Sequence, residues 1–173
     1  MKIYKVSSIK EMEQFKDEYG YKVDGSLEVN CSLDFTGRLL VEGYIEADES
    51  IEAGGYIEAG RHIKAGGYIK AGGYIEAGWY IEAGRFCGIS AGLQITCQEK
   101  LTYGLKCFAG ICTRRKISDE EKTITCGKHE GGVIEYGILK ETGIEKEEMI
   151  SIDGNKVSKS TVKEALKQFM GKL

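Results

Sequence analysis

Residues 43–84 read GYIEAD ESIEAG GYIEAG RHIKAG GYIKAG GYIEAG WYIEAG, seven hexads without interruption. Ile recurs as Ile45, Ile51, Ile57, Ile63, Ile69, Ile75 and Ile81, and an Ala follows each two positions later, from Ala47 to Ala83. Residues two apart share one face of an extended strand, so Ile and Ala point inward together. The Glu or Lys between them points outward, as does the Tyr, His or Phe before Ile. The Gly pair after Ala breaks the strand and turns a corner. A helix is excluded, because a period of six does not match 3.6 and paired Gly is costly inside a helix.

A short strand plus a corner every six residues closes into a three-sided coil of about eighteen residues, and coils stack at about 4.8 Å. The frame continues with less identity upstream through Leu27/Val29, Leu33/Phe35 and Leu39/Val41. Downstream it gives Cys87/Ile89 and Leu93/Ile95, for twelve hexads from about residue 26 to 98. The expected class is therefore mainly β, a three-sided parallel β-helix. Residues eighteen apart should be stacked neighbours. On that rule Lys64 lies between Glu46 and Glu82, Lys70 on Glu52, and Arg61 on Trp79 as a cation–π pair. The like-charged Glu58 and Glu76 also stack, either as a screened surface pair or as a partner-facing site.

The bare ends of a solenoid need covering. Residues 1–22 are expected to form an N-terminal helical cap. Its helix is placed at 8–19, with Ser8 and Glu11 as a capping box and Ile9, Met12, Phe15 and Tyr19 on one face. The repeat segment is 23–98. Residues 99–140 lose the hexad and are expected to be an irregular β extension, with a hairpin at Gly127-Lys128-His129-Glu130-Gly131-Gly132. Residues 141–173 are expected to hold a second hairpin around Asp153-Gly154 and a helix from Ser158 to Met170, serving as a cap or a homodimer contact.

With 173 residues, 24 basic and 27 acidic side chains and a net charge of −3, the chain lacks the basic bias of a nucleic-acid binder. No apolar run reaches the length of a membrane span. Met1-Lys2-Ile3-Tyr4-Lys5 lacks the apolar stretch of a signal peptide, so the expected location is the cytoplasm of a bacterial host cell. The six Cys are then expected as free thiols. There are 24 Gly and no Pro, so no ladder donor is missing.

Catalysis needs a base held near a nucleophile or substrate. Of the two His, His62 replaces Tyr at an outward position between Tyr44 and Tyr80, exposed and with no evident carboxylate to orient it. His129 falls in a Gly-rich turn, where a solvated imidazole is expected. Cys107-x4-Cys112 followed by Cys126-x2-His129 has spacing compatible with a structural zinc set. Buried thiols are the favoured alternative, since Cys87 shows Cys in an inward Ile position. No cofactor motif is present, and the Gly pairs lead into strands instead of helix N-termini. What remains is surface: Tyr44, Tyr56, Tyr68, Tyr74 and Tyr80, with Trp79, Phe86 and Arg61, are types enriched at protein interfaces. The candidate partner-binding set is Trp79, Arg61, Tyr56, Tyr74, Tyr80, His62, Glu58 and Glu76.

The stretches Val23-Asp24-Gly25-Ser26-Leu27 and Val41-Glu42-Gly43-Tyr44-Ile45-Glu46-Ala47 resemble the V-x-G-x-I repeats of bactofilins, and the hexads resemble hexapeptide-repeat β-helices. The small residue here follows the aliphatic one by two, where the acyltransferase hexad places it two before. The ending ISIDGNKVSKSTVKEALKQF resembles a hairpin–helix module of small phage and mobile-element proteins. These resemblances imply three readings. The first is a non-enzymatic binder of a host protein, in the manner of anti-CRISPR inhibitors of a defence nuclease. The second is a self-assembling bactofilin-like structural protein. The third is a hexapeptide acyltransferase with His62 as base. An ice-binding role is disfavoured, because the outward positions carry charges and Tyr in place of a Thr array.

Overall fold

The computed structural model describes residues 1–143, 149–152 and 155–158. They fall into two units, Met1–Thr142 and Gly143–Leu173.

The first unit is a parallel β-solenoid of about seven turns. Three faces are built in rotation. Face 1 stacks Ile3–Val6, Ser26–Val29, Ile45–Ala47, Ile63–Ala65 and Ile81–Glu82. Face 2 stacks Leu33–Phe35, Ile51–Ala53, Ile69–Ala71 and Ile89–Ala91. Face 3 runs from Gly20–Val23 through Arg38–Val41, Ile57–Ala59, Ile75–Ala77, Ile95–Cys97 and Thr123–Cys126 to Ile138–Glu141. Two long strands, Lys100–Ala109 and Lys128–Tyr136, each pass through both face 1 and face 2 without a break. In the regular coils Ile45 pairs with Ile63, and Ile63 with Ile81, eighteen positions apart as the hexads require. Every inward Ile from Ile45 to Ile81 is fully buried, and the Ala column lies beside it.

The corner glycines are required by close approach. A Cβ on Gly66 would lie 2.1 Å from the Asp48 carbonyl oxygen of the coil below, and one on Gly72 would lie 2.2 Å from that of Gly54. Neither has a positive φ, so the need is space between coils and not a left-handed turn.

The first coil departs from expectation. Ile3–Val6 is already a strand, paired in parallel with Ser26–Val29. The helix is shorter than 8–19: an α-turn at Ile9–Met12 is followed by a 3-10 turn at Glu13–Phe15. It stands where a face-2 strand would follow, and face 2 begins only at Leu33–Phe35. Met12 enters the core and Phe15 packs beside it, edge-on to Tyr4, whereas Ile9 and Tyr19 are exposed. The expected capping box does not form. Glu11 accepts the Ser7 backbone N–H and the Ser8 hydroxyl, but Ser8 Oγ caps no backbone N–H.

Two further expectations are corrected downstream. The hexad frame does not run through Cys87/Ile89 and Leu93/Ile95. Ile69 pairs with Ile89 and Ile75 with Ile95, twenty positions apart, so Ile89/Ala91 and Ile95/Cys97 are the inward pairs. Two extra residues enlarge the corner Gly84-Arg85-Phe86-Cys87-Gly88, where the Cys87 N–H closes a turn on the Gly84 carbonyl. Cys87 is thus at a corner and not in an Ile position. Nor is there a hairpin at 127–132. Thr123–Cys126 pairs with Ile138–Glu141 in parallel, and Lys128–Tyr136 lies parallel to Lys100–Ala109. The parallel ladders therefore extend past the expected 23–98 segment on both sides.

In the second unit Met149–Ile152 and Asn155–Ser158 pair antiparallel, the two strands of the expected hairpin. The helix expected after Ser158 lies outside the described residues. No helix among the described residues is long and apolar enough to cross a membrane.

Candidate interaction surface

The stacking rule places the candidate residues around face 3. Glu58 and Glu76 are register neighbours at its centre. Tyr56 and Tyr74 stand at the corner leading into it, their rings stacked at 4.6 Å. Arg61, His62, Trp79 and Tyr80 occupy the corner leading out, where the Arg61 guanidinium lies 5.1 Å from the Trp79 ring centre. The eight residues are thus brought to one face and its two edges.

A device not anticipated from the hexads recurs at these corners. A ring before the inward aliphatic residue reaches back to the carboxylate sixteen positions earlier, on the coil below. Tyr44 donates to Glu28 at 2.8 Å, Tyr68 to Glu52 at 3.1 Å and Tyr74 to Glu58 at 3.1 Å. His62 Nε2 meets Glu46 Oε1 in the same relation at 3.2 Å. Burial, then the bond to Glu58, pushes the Tyr74 phenol well up. The bond to Glu28 raises that of Tyr44, and the bond to Glu52 raises that of Tyr68. The coil arithmetic carries this signal, because each pair is one coil minus two residues.

His62 is consequently corrected on two counts. It has a carboxylate orienter in Glu46, and its side chain is only 12 % exposed. Its ring lies flat between Tyr44 at 4.9 Å and Tyr80 at 4.6 Å, and its Nδ1 is buried without a partner. The ladder covers both faces of the imidazole, which restricts a substrate to its edge. The expected charge stacks form in part: Lys64 meets Glu82 at 3.5 Å and Lys70 pairs with Glu52, while Glu46 has turned to His62.

The expected zinc set is dispersed. Cys107 and Cys126 are core residues, and burial raises their thiols to about 12 and about 11. His129 is not a solvated turn residue. Its Nε2 is 2.8 Å from the hydroxyl of the buried Tyr103, and its backbone N–H donates to Glu141. Cys112 stands in the loop before the last coil, its thiol pulled down by the Arg114 and Arg115 backbone N–H groups. Among the described residues no three His, Cys, Asp or Glu side chains converge on a metal position.

Strongly exposed apolar side chains lie elsewhere, on the corner between faces 1 and 2. Phe86 is 80 % exposed, Leu105 55 % and Val133 60 %. They occupy successive coils of that corner: the Leu105 N–H donates to the Cys87 carbonyl, and Val133 is in register with Lys106. Of these, Phe86 was singled out in the sequence as an exposed aromatic; Leu105 and Val133 become visible only once the two-residue shift is known. No family model matches the chain. No curated protein and no solved structure matches it either.

Proposed function

We propose that this chain is a non-enzymatic protein-binding solenoid that engages its partner through the corner ridge of Phe86, Leu105 and Val133. The observation that carries this reading is the exposure of three large apolar side chains on consecutive coils of a rigid ladder. Isolated exposed apolar residues are ordinary, but three at one corner on successive coils mark a candidate contact surface. The ladder beneath is fixed by backbone bonds, so little ordering cost falls on binding. The aromatic face with Trp79, Arg61, Tyr56, Tyr74, Tyr80, Glu58 and Glu76 is a second candidate contact. The phage-like ending favours a host protein as partner, and a host defence nuclease is the narrower form of that proposal. The test is capture from bacterial lysate with the wild-type chain and with a Phe86→Asp, Leu105→Asp variant, followed by mass spectrometry. A protein held by the first and lost by the second is the expected result. Recovery of the bait alone by the wild type counts against the proposal.

A second reading, end-to-end self-assembly of bactofilin type, draws support from the edges. Among the described residues no strand pairs with the outer edge of Ile3–Val6 or of Ile138–Glu141. Negative-stain microscopy at high protein concentration decides it: filaments support assembly, and uniform small particles remove it.

A further inference from the structure

The aromatic ladders have a gap. At two corners rings stack on successive coils at 4.6–4.9 Å, as Tyr44/His62/Tyr80 and Tyr56/Tyr74. At the third corner the equivalent position carries Tyr68, and its OH takes the same bond to the carboxylate sixteen residues back, on Glu52. Its ring is therefore set as in the other ladders. The next coil has nothing to lay on it. Ile69 pairs with Ile89, so the residue in ladder position is Gly88. Any side chain there is forbidden, because a Cβ on Gly88 would lie 2.3 Å from the Lys106 carbonyl oxygen. One coil further, the ladder position before Cys107 is held by Lys106.

The missing ring leaves a cavity of about 420 Å³ lined by Glu52, Tyr68, Lys70, Gly88, Ser90, Leu105 and Phe108, among others, with the Glu52 carboxylate held by Tyr68 and Lys70. That volume lies in the range of small-ligand sites, which combine apolar walls with few polar groups. Tyr68 and Lys106 are separated by two coil spacings, about 9.6 Å at 4.8 Å per strand. A single planar ring fits between them, stacked on Tyr68 below and beneath the Lys106 side chain above, whose ammonium pairs with Glu135 at 2.9 Å. The far edge of such a ring meets a different group from those in the other ladders. Tyr44, Tyr68, Tyr74 and His62 meet Glu there. On the empty rung the outward residue of the coil below is Lys70, whose ammonium bonds Glu52 and retains further N–H donors.

We propose that this empty rung is a binding site for a small planar aromatic anion of the aryl-carboxylate class, its ring replacing the absent ladder residue and its carboxylate accepting from Lys70. The site is separate from the protein-binding proposal and shares only Leu105 with the corner ridge.

Benzoate is the probe, titrated into the full chain and followed by backbone amide NMR. Saturable shifts centred on Tyr68, Gly88, Ser90 and Lys106 are expected, with a dissociation constant of about 1 mM or tighter. Cyclohexanecarboxylate, with the same charge and no π face, should bind about tenfold more weakly, and benzylamine, with the charge reversed, should do the same. Tyr68→Leu at the exposed platform and Lys70→Gln should each weaken benzoate about tenfold while leaving the β-sheet spectrum intact. Phe86→Asp should leave it unchanged, so that loss of partner capture and loss of this site are told apart. Absence of saturation overturns the proposal. So does equal binding of cyclohexanecarboxylate or benzylamine, or undiminished binding by both the Tyr68 and Lys70 variants.

Discussion

The coils of residues 43–84 and those that follow share one core and differ in everything outside it. In the first group each coil copies the last: eighteen-residue spacing, stacked rings, a hydroxyl on the carboxylate below, Lys against Glu. In the second group the spacing changes to twenty, two strands run through a corner, and Phe86, Leu105 and Val133 stand out into solvent. Repetition gives the outward lysines and most of the corner rings a partner on a neighbouring coil, while Glu76 meets the like-charged Glu58. Irregularity leaves groups without such a neighbour, and those are the ones free to meet another molecule. On the proposal above, the regular half supplies rigidity and the irregular half the contact ridge.

The hardest test of that division is at the corners. Gly66→Val places atoms against the Asp48 carbonyl in a regular corner and should cost more than about 3 kcal/mol or prevent folding. Phe86→Ser, at the irregular corner, should change stability by less than about 0.5 kcal/mol. Urea denaturation of both variants measures the contrast, and similar losses would erase it. Next in size, Ile63→Ala opens a cavity in the fully buried column and should cost about 3 kcal/mol by the same measurement.

Tyr74→Phe removes the hydroxyl that Glu58 accepts and should cost about 1 kcal/mol. An undiminished melting temperature would show that the ring stack with Tyr56 suffices without the bond.

The smallest effect sharpens the comparison through acid. Lys70 pulls the Glu52 carboxyl below its usual range in the regular half, and Lys100 and Lys128 pull that of Glu130 to about 2 in the last coil. A depressed folded-state value means that the stabilisation is present above the ordinary carboxylate range and is lost as pH falls through it. Melting temperature should therefore decline between about pH 5 and pH 2, and more shallowly in high salt, because these pairs are exposed. A flat profile would remove the ion pairs from the account.

The repeat was legible because Ile and Ala at fixed spacing admit one reading, and the three-sided coil followed from a strand and a corner in every six residues. The slip at Arg85-Phe86 was not. Cys87, Ile89, Ala91 and Leu93, Ile95, Cys97 alternate apolar residues in such a way that frames two apart both place pairs inward. A period-two pattern cannot distinguish them; only the pairing of Ile69 with Ile89 does. The parallel course of Lys128–Tyr136 was hidden for a related reason. A Gly-rich segment between two strands signals a hairpin locally, and whether the chain turns back or travels on is decided by the coil it lands upon. His62 was misjudged because its orienter is sixteen residues away, a distance that has meaning only once coils are counted.

Near-identity also sets the folding chain a counting problem. Any of seven hexads could be laid upon any other with its Ile and Ala satisfied, so a misplacement by six or twelve positions threatens no core contact. Arg61 breaks that degeneracy from the surface, because it meets Trp79, the single Trp of the sequence, at one offset alone, and Lys64 and Lys70 oppose an offset of six, which would set them against each other. Side chains that add little to the final stability thereby act as place marks, telling a monotonous strand which turn it has reached.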